Sequence, residues 1–353
     1  MIVKTNNYEY GHSESILMNA ETKELIDRVK DKAMRDEDLT REELIGIIDI
    51  DPDSEECDYL GKAAWDVKQK NTGNVVHIGN SIGLDLRPCP MSCKFCSLGE
   101  KWGLINGEYE LSDETVLGLL DYIMKKGFNK VTLRTTEFYP IDRLCEIARK
   151  MRRKYGDLFG MSANTGELTP EKAKMLKEAG FNGIYHAVRL REGIDTPLSV
   201  ETRIATIKAA QSAGLRVSSG VDPIGVEHTS EEIADLIMLY RELKVDGMCT
   251  MKRINLHGTP MEGIPEISER RLAQITAVNR LAGGSRWTVA SHPITALGLK
   301  FGADHVSIET GANPRDNNLN MLRWSMCDHD AALKTVADAG CVMGSVRDYF
   351  KNM

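Results

Sequence analysis

From Asn74 onward the chain alternates short apolar, strand-like runs with amphipathic stretches of helical period, and polar or glycine-containing turns separate them. The first run covers 75–86, after which Ser112 caps a helix reaching Lys126. The second is 130–135, with a helix over 141–155. The third lies near 159–163 and precedes a helix opened by Thr169-Pro170, where proline suits the first helical position. Runs at 183–188, 215–220 and 248–256 follow, with helices over 199–213, from Thr229 or Ser230, and over 268–282. The last two runs, 286–290 and 305–308, are followed by a short helix after Pro293 and a closing one over 328–339. Eight strand–helix units predict an α/β protein with a (β/α)8 TIM barrel. A doubly wound open sheet is the runner-up, but its first strand lacks the glycine-rich dinucleotide turn.

Residues 14–70 read as helical. An amphipathic stretch covers 20–32, Thr40 and Glu43 form a capping box, and 53–56 opens a helix running through Trp65. The expected organisation is an N-terminal helical extension over 1–73, a barrel core over 74–310, and a C-terminal loop and closing helix over 311–353. Gly311 to Asn320, rich in Asn, Gly and Asp, is expected as a long loop on the active-site side.

The 353 residues carry a net charge of −7 with both signs mixed, which argues against nucleic acid as a partner. No apolar run marks a signal peptide or a membrane span, so a cytoplasmic protein with no membrane partner is expected. Eight cysteines in a chain this long do not make a disulfide scaffold. Cys57, Cys145, Cys249, Cys327 and Cys341 are scattered and read as small buried hydrophobes.

The remaining three stand together in Cys89-Pro90-Met91-Ser92-Cys93-Lys94-Phe95-Cys96, on the loop after the first strand. Thiolates are soft ligands, and three on one loop suit an iron–sulfur cluster or zinc. Three cysteines on a four-iron cluster leave one iron open for chemistry. Zinc would want a fourth ligand, and His77 is the nearest histidine. Buried cysteines without a metal are the remaining alternative.

This spacing, with an aromatic before the last cysteine, resembles the signature of the radical S-adenosylmethionine enzymes. The resemblance implies a [4Fe-4S] cluster on Cys89, Cys93 and Cys96. Its open iron would chelate the methionyl amine and carboxylate of S-adenosylmethionine, whose cleavage yields a 5′-deoxyadenosyl radical. Thr135-Thr136-Glu137 resembles the motif of that superfamily that contacts the methionine amine, with threonines for both glycines. The segments 162–169, 178–180, 213–220 and 257–261 match, in order and spacing, landmarks of the biotin synthase group, which includes methylornithine synthase and the radical enzymes of hydrogenase cofactor assembly. The resemblance covers roughly 40–310. It assigns the cofactor to Phe95, Glu137, Ser162, Asn164, Arg189, Arg203 and Leu256. Arg203 would pair with the methionine carboxylate, a bidentate match for a guanidinium. Arg189 stands where the group has an acidic or amide ribose contact, and Ile254 and Leu256 would flank the adenine.

Biotin synthase proper holds a second, sulfur-donating cluster inside the barrel. The matching positions here are Thr132, Ser162, Ser218 and Val289, none a soft ligand. That cluster is therefore not expected, and methylornithine synthase or enzymes of the iron-hydrogenase guanylylpyridinol cofactor are nearer analogues. The latter often have a five-residue first gap, against three here. Arg134, Ser219, Asp222, Lys252, Asn255, Ser291, His292 and Glu309 fall near strand ends as candidate substrate contacts. The expected enzyme takes hydrogen from a small polar molecule and receives electrons from a ferredoxin or flavodoxin in an anaerobic or microaerobic cell. Its rivals are a sulfur-inserting synthase with an auxiliary cluster and a non-catalytic metal-binding scaffold.

Overall fold

The computed structural model describes residues 18–316 and 320–345. The helical reading of 14–17 and the middle of the expected 311–320 loop lie outside them. Three helices come first: α1 (Ala20–Met34), α2 (Arg41–Ile48) and α3 (Glu55–Thr72). Thr40 closes both halves of the expected capping box at α2. The chain then runs through β1 (Val75–Gly83), β2 (Asp85–Leu86), β3 (Tyr109–Glu110), α4 (Asp113–Lys125), β4 (Lys130–Arg134), α5 (Ile141–Tyr155), β5 (Gly160–Asn164), α6 (Pro170–Glu178) and β6 (Gly183–Tyr185). It continues with α7 (Val200–Ser212), β7 (Arg216–Ile224), α8 (Ser230–Glu242), β8 (Gly247–Lys252), α9 (Glu269–Gly283), β9 (Thr288–His292), α10 (Ala296–Lys300) and β10 (His305–Gly311). Last come β11 (Trp324–Ser325), α11 (His329–Asp338) and β12 (Val342–Met343).

β1, β4, β5, β6, β7, β8, β9 and β10 pair in parallel in that order, and β10 returns to β1 over seven residue pairs from His77↔His305 to Gly83↔Gly311. This is a closed eight-stranded barrel with flanking helices, as the alternation predicts. At the upper ends of β1 and β10 the backbones nearly touch. A Cβ on Gly83 would lie 2.0 Å from the Ala312 carbonyl oxygen. β11 adds antiparallel to β10 at this end, and β12 lies beside the start of β1.

The strand lengths differ from the sequence reading where neighbours decide them. β1 stops at Gly83 rather than Leu86, and β7 runs on to Ile224. β8 stops at Lys252, not Leu256. The Arg253 amide still bonds the Ile224 carbonyl at 2.8 Å, but the next amides turn away: Asn255 N–H goes to the Glu266 carboxylate at 2.8 Å. The Leu256 carbonyl closes a turn with Thr259.

The N-terminal helices share one hydrophobic core with the barrel through residues such as Ile26, Ile47 and Leu60. Their polar ends are met by the barrel's own helix. Gln274 on α9, fully buried, donates to the carbonyls of Ile47, Ile48 and Ile50 at 3.2, 3.2 and 2.7 Å. These close the C-terminus of α2, whose last carbonyls have no partner within the helix.

Inside the barrel the pattern is unusual. Inward positions of a TIM barrel are mostly branched aliphatics packed in layers. Here β4 contributes Lys130, Thr132 and Arg134, β8 Gly247, Cys249 and Met251, and β10 His305, Ser307 and Glu309 to a cavity of about 260 Å³. The alternate residues Val131 and Leu133 are fully buried in the hydrophobic core. The polar–apolar alternation of these strands thus leaves a hydrophilic hollow rather than a filled core.

Candidate active site

The cysteine loop is folded on itself before it meets anything else. Cys89 N–H donates to the Leu98 carbonyl at 2.7 Å and Glu100 N–H to that of Cys89 at 2.9 Å. Ser92 takes a left-handed φ of 44°, which turns the chain between the first two cysteines. Two outer segments then fix the loop. Lys94 N–H bonds the Asp195 carbonyl and its ammonium pairs with that carboxylate, both at 2.9 Å. Ser97 N–H donates to the Pro314 carbonyl at 3.0 Å, and its hydroxyl to those of Asn313 and Asp316 at 3.2 and 3.0 Å. Leu86, Leu98, Ile105 and Ala312 form a small apolar cluster against Cys89 and Cys96.

All three thiols lie on the wall of the central cavity. Burial pushes each up: Cys89 above its ordinary range, Cys93 to about 11 and Cys96 to about 12. Backbone N–H groups of Met91, Glu137 and Ser92 aimed at the Cys89 sulfur, and of Leu98 at that of Cys96, act the other way. Near neutral pH such thiols lose their protons only to a positive centre that replaces them, as a metal does. Among the described residues no three His, Cys, Asp or Glu side chains close on a single ion. Three soft thiolate donors on one loop fit an iron–sulfur cluster.

Beside this loop, Glu137 follows β4. Its two threonine neighbours are structural: Thr136 binds the buried Asp85 carboxylate through its amide at 2.8 Å and through its hydroxyl, and Thr135 meets the Thr165 hydroxyl at 2.8 Å. The Glu137 carboxylate accepts from Glu167 N–H at 3.0 Å. Gly166 is required here, because a Cβ would lie 1.9 Å from the Glu137 carbonyl oxygen. Arg203, on α7, is buried rather than solvent-facing. Its Nη1 meets Glu167 at 2.6 Å and its Nε meets Glu192 at 3.1 Å, while Nη2 makes no hydrogen bond to the described residues. Burial pushes the Glu167 carboxyl up, but His186, Arg203 and Thr206 overcome this and hold it below its usual range.

Arg189 lies beside Phe95, 5.7 Å from its ring centroid, and pairs with Asp222, which also accepts from the Tyr185 hydroxyl at 2.9 Å. The departure from an acidic residue at position 189 is thereby matched by a carboxylate from β7. On the far wall Glu309 is fully buried between Arg134, Arg315 and His292. Burial alone would push its carboxyl up; the two guanidinium groups hold it well below the usual range.

The structure therefore gathers Cys89, Cys93, Cys96, Phe95, Glu137, Ser162, Asn164, Arg189 and Arg203 round one cavity. Leu256 is the exception: β8 has already ended, and this residue is buried in the following turn, off the cavity wall, while Ile254 lines it. Arg134, Ser219, Asp222, Lys252, Ser291, His292 and Glu309 also line it, whereas Asn255 is exposed. Glu192, Tyr185, Arg253 and Arg315 escaped the sequence reading. For Arg253 the strand alternation of β8 carried a signal, being in phase with Cys249 and Met251. Cys249, read as a core hydrophobe, faces the cavity.

Residues 86–240 match the Radical SAM superfamily. The chain is 27% identical to a biotin synthase of Nitratidesulfovibrio vulgaris over 259 residues, 71% of this chain and 70% of that one. The chain is an enzyme that carries a radical S-adenosylmethionine domain and is similar to the biotin synthases. A biotin synthase of Clostridioides difficile is likewise 27% identical over 266 residues, 72% of this chain and 80% of the relative. Among solved structures, methylornithine synthase (PylB) has a TM-score of 0.79 at 19% identity, covering 92% of this chain and 100% of that one. HydG, a maturase of the FeFe-hydrogenase, has a TM-score of 0.77 at 16% identity, covering 92% and 78%. At these identities the two structures speak for the fold. Radical S-adenosylmethionine enzymes of this group use a [4Fe-4S] cluster and S-adenosylmethionine.

Proposed function

We propose that this radical S-adenosylmethionine enzyme takes a hydrogen atom from a small polar substrate held in the barrel mouth. The observation that supports this most is one cavity walled by the three thiols, Glu137 and Arg203 and floored by charged side chains. Cys89, Cys93 and Cys96 would hold the cluster, and the Glu137 carboxylate would accept from the methionyl ammonium. Arg203, steadied by Glu167 and Glu192, would present Nη2 to the methionyl carboxylate. Phe95 and Arg189, with Ser162 and Asn164, would bound the nucleoside. When bound, the cluster supplies the electron that breaks a sulfonium carbon–sulfur bond and frees a 5′-deoxyadenosyl radical. The chain's own work is orientation and exclusion of water and oxygen, aided by the apolar residues behind the loop.

The electron donor is a ferredoxin or flavodoxin on this reading, and the compartment is the cytoplasm. The biotin synthase relatives support a place in cofactor or amino-acid biosynthesis. Thr132, Ser162 and Ser218 line the cavity with hydroxyls and Val289 is buried in the core, which speaks against a sulfur-donating second cluster.

Oxygen-free reconstitution with iron and sulfide, then dithionite and S-adenosylmethionine, tests the reading. It predicts about four irons per chain and formation of 5′-deoxyadenosine. The Cys93→Ala variant should lose both the brown colour and the cleavage. Iron at twice that level would favour a sulfur-inserting synthase, and absence of 5′-deoxyadenosine from the wild-type protein would leave only a scaffold.

A further inference from the structure

We propose that Arg315, Arg134 and His292, gathered round Glu309, form a seat for a carboxylate of the substrate. The inference rests on the radical reading of this cavity and narrows its substrate class. Arg134 Nη1 and Arg315 Nη2 both reach the same oxygen, Glu309 Oε1, at 2.7 and 2.5 Å. The other oxygen, Oε2, accepts from Asn313 Nδ2 at 2.8 Å and lies 3.5 Å from His292 Nε2. Two guanidinium groups thus share one carboxylate.

The donors left over are the telling part. Arg134 spends three more N–H groups on the Ser81 hydroxyl and, twice, the Ala312 carbonyl. Arg315 has no such outlet. Its Nη1 faces the Met251 sulfur at 3.1 Å, a weak acceptor, and its Nε is buried with no hydrogen-bond partner among the described residues. His292 Nε2 is also buried and makes no hydrogen bond to the described residues, on a residue only 5% exposed. Buried polar atoms are rarely left unmet in a folded protein, and each costs free energy while it is. Both belong to side chains on the cavity wall.

The seat suits a planar carboxylate rather than a phosphate. Phosphate sites recruit clusters of backbone N–H groups. In the segment carrying Arg315 three of these are spent: Ala312 N–H on the Gly83 carbonyl at 3.2 Å, Arg315 N–H on Asn313 Oδ1 at 3.0 Å, and Asp316 N–H on the Asn313 carbonyl at 3.1 Å. What remains is a guanidinium edge and a ring nitrogen, the geometry of a forked carboxylate contact.

The test uses cluster-loaded protein with S-adenosylmethionine. The probes are succinate and glutarate, their diamides, and inorganic phosphate. Melting temperature reports binding and 5′-deoxyadenosine formation reports coupling. The dicarboxylates should raise the melting temperature saturably, the diamides should not, and phosphate should act only at higher concentration. Arg315→Met should raise the half-saturating concentration about ten-fold or more, and Arg315→Lys by less. Glu309→Gln removes the internal competitor and should lower it, an opposite sign that loss of folding cannot imitate. Equal shifts from the diamides, phosphate acting at lower concentration, no saturable carboxylate effect, or an unmoved half-saturation in Arg315→Met would each overturn the proposal. Binding read by melting temperature does not depend on turnover. Wild-type protein that fails to cleave S-adenosylmethionine would therefore strike the radical reading, and not the seat alone.

Discussion

Arg203 shows how a buried guanidinium is held in place. Taking a guanidinium out of water is costly, and only well-placed partners offset the cost. Glu192, whose side chain is fully buried, supplies one, and it also accepts from the Arg189 amide at 2.8 Å. Its neighbour Asp195 holds Lys94 of the cysteine loop. The short segment from Arg189 to Thr196 therefore ties Arg203 to the cysteine loop. Arg203→Lys keeps a positive charge but loses the fork. It should raise the KM for S-adenosylmethionine about ten-fold while iron content stays at the wild-type level, measured by 5′-deoxyadenosine kinetics beside iron analysis. An unchanged KM would remove Arg203 from the methionine carboxylate. The cysteines, Glu137 and Arg203 were legible in sequence as residues of one cavity wall, because motif spacing is local. Glu192 and Arg315 were not. Their neighbours in the chain mark neither, and their roles arise only when loops from distant strands meet at the mouth.

The elements were legible in kind and less so in extent. Period-two alternation and helix caps such as Ser112, Thr169 and Ser199 point to the right units, since both are local physics. Where a strand stops depends on its neighbour, and this is why Leu256 was placed on β8 when the ladder had ended. The closing helix α11 shows a further tertiary effect. His329, in its first turn, is 1% exposed, with Nε2 2.7 Å from Asn80 Oδ1 on β1 and its ring edge-on to Trp324 at 4.3 Å. Burial, helped by the Lys126 charge, pushes this imidazole down to about 4 from an ordinary 6.5. A group depressed in the folded state favours folding above its unfolded value, and that contribution fades as pH falls from about 6.5 through 4. The melting temperature should therefore drop over that window. In His329→Gln the drop should be smaller, with the two proteins converging in acid. Parallel curves would show that His329 does not titrate this way.

At the scale of the molecule, polar groups are concentrated along the barrel axis and apolar burial lies outside it. The N-terminal helices extend the same core rather than forming one of their own. A wall of hydrogen-bonded, ion-paired side chains is costly to bury, and the continuous shell of β-strand outer faces and helices around it is what makes such a hollow tolerable. Among the described residues no helix is long and apolar enough to cross a membrane. The account turns on three cysteines leaving one iron open for S-adenosylmethionine. Electron paramagnetic resonance of the dithionite-reduced protein tests this most directly, with and without S-adenosylmethionine carrying nitrogen-15 at the methionyl amine. The prediction is a reduced-cluster signal that shifts when S-adenosylmethionine is added and couples to the labelled nitrogen. A signal indifferent to S-adenosylmethionine, or spin-silent protein holding zinc on Cys89, Cys93 and Cys96, would contradict it.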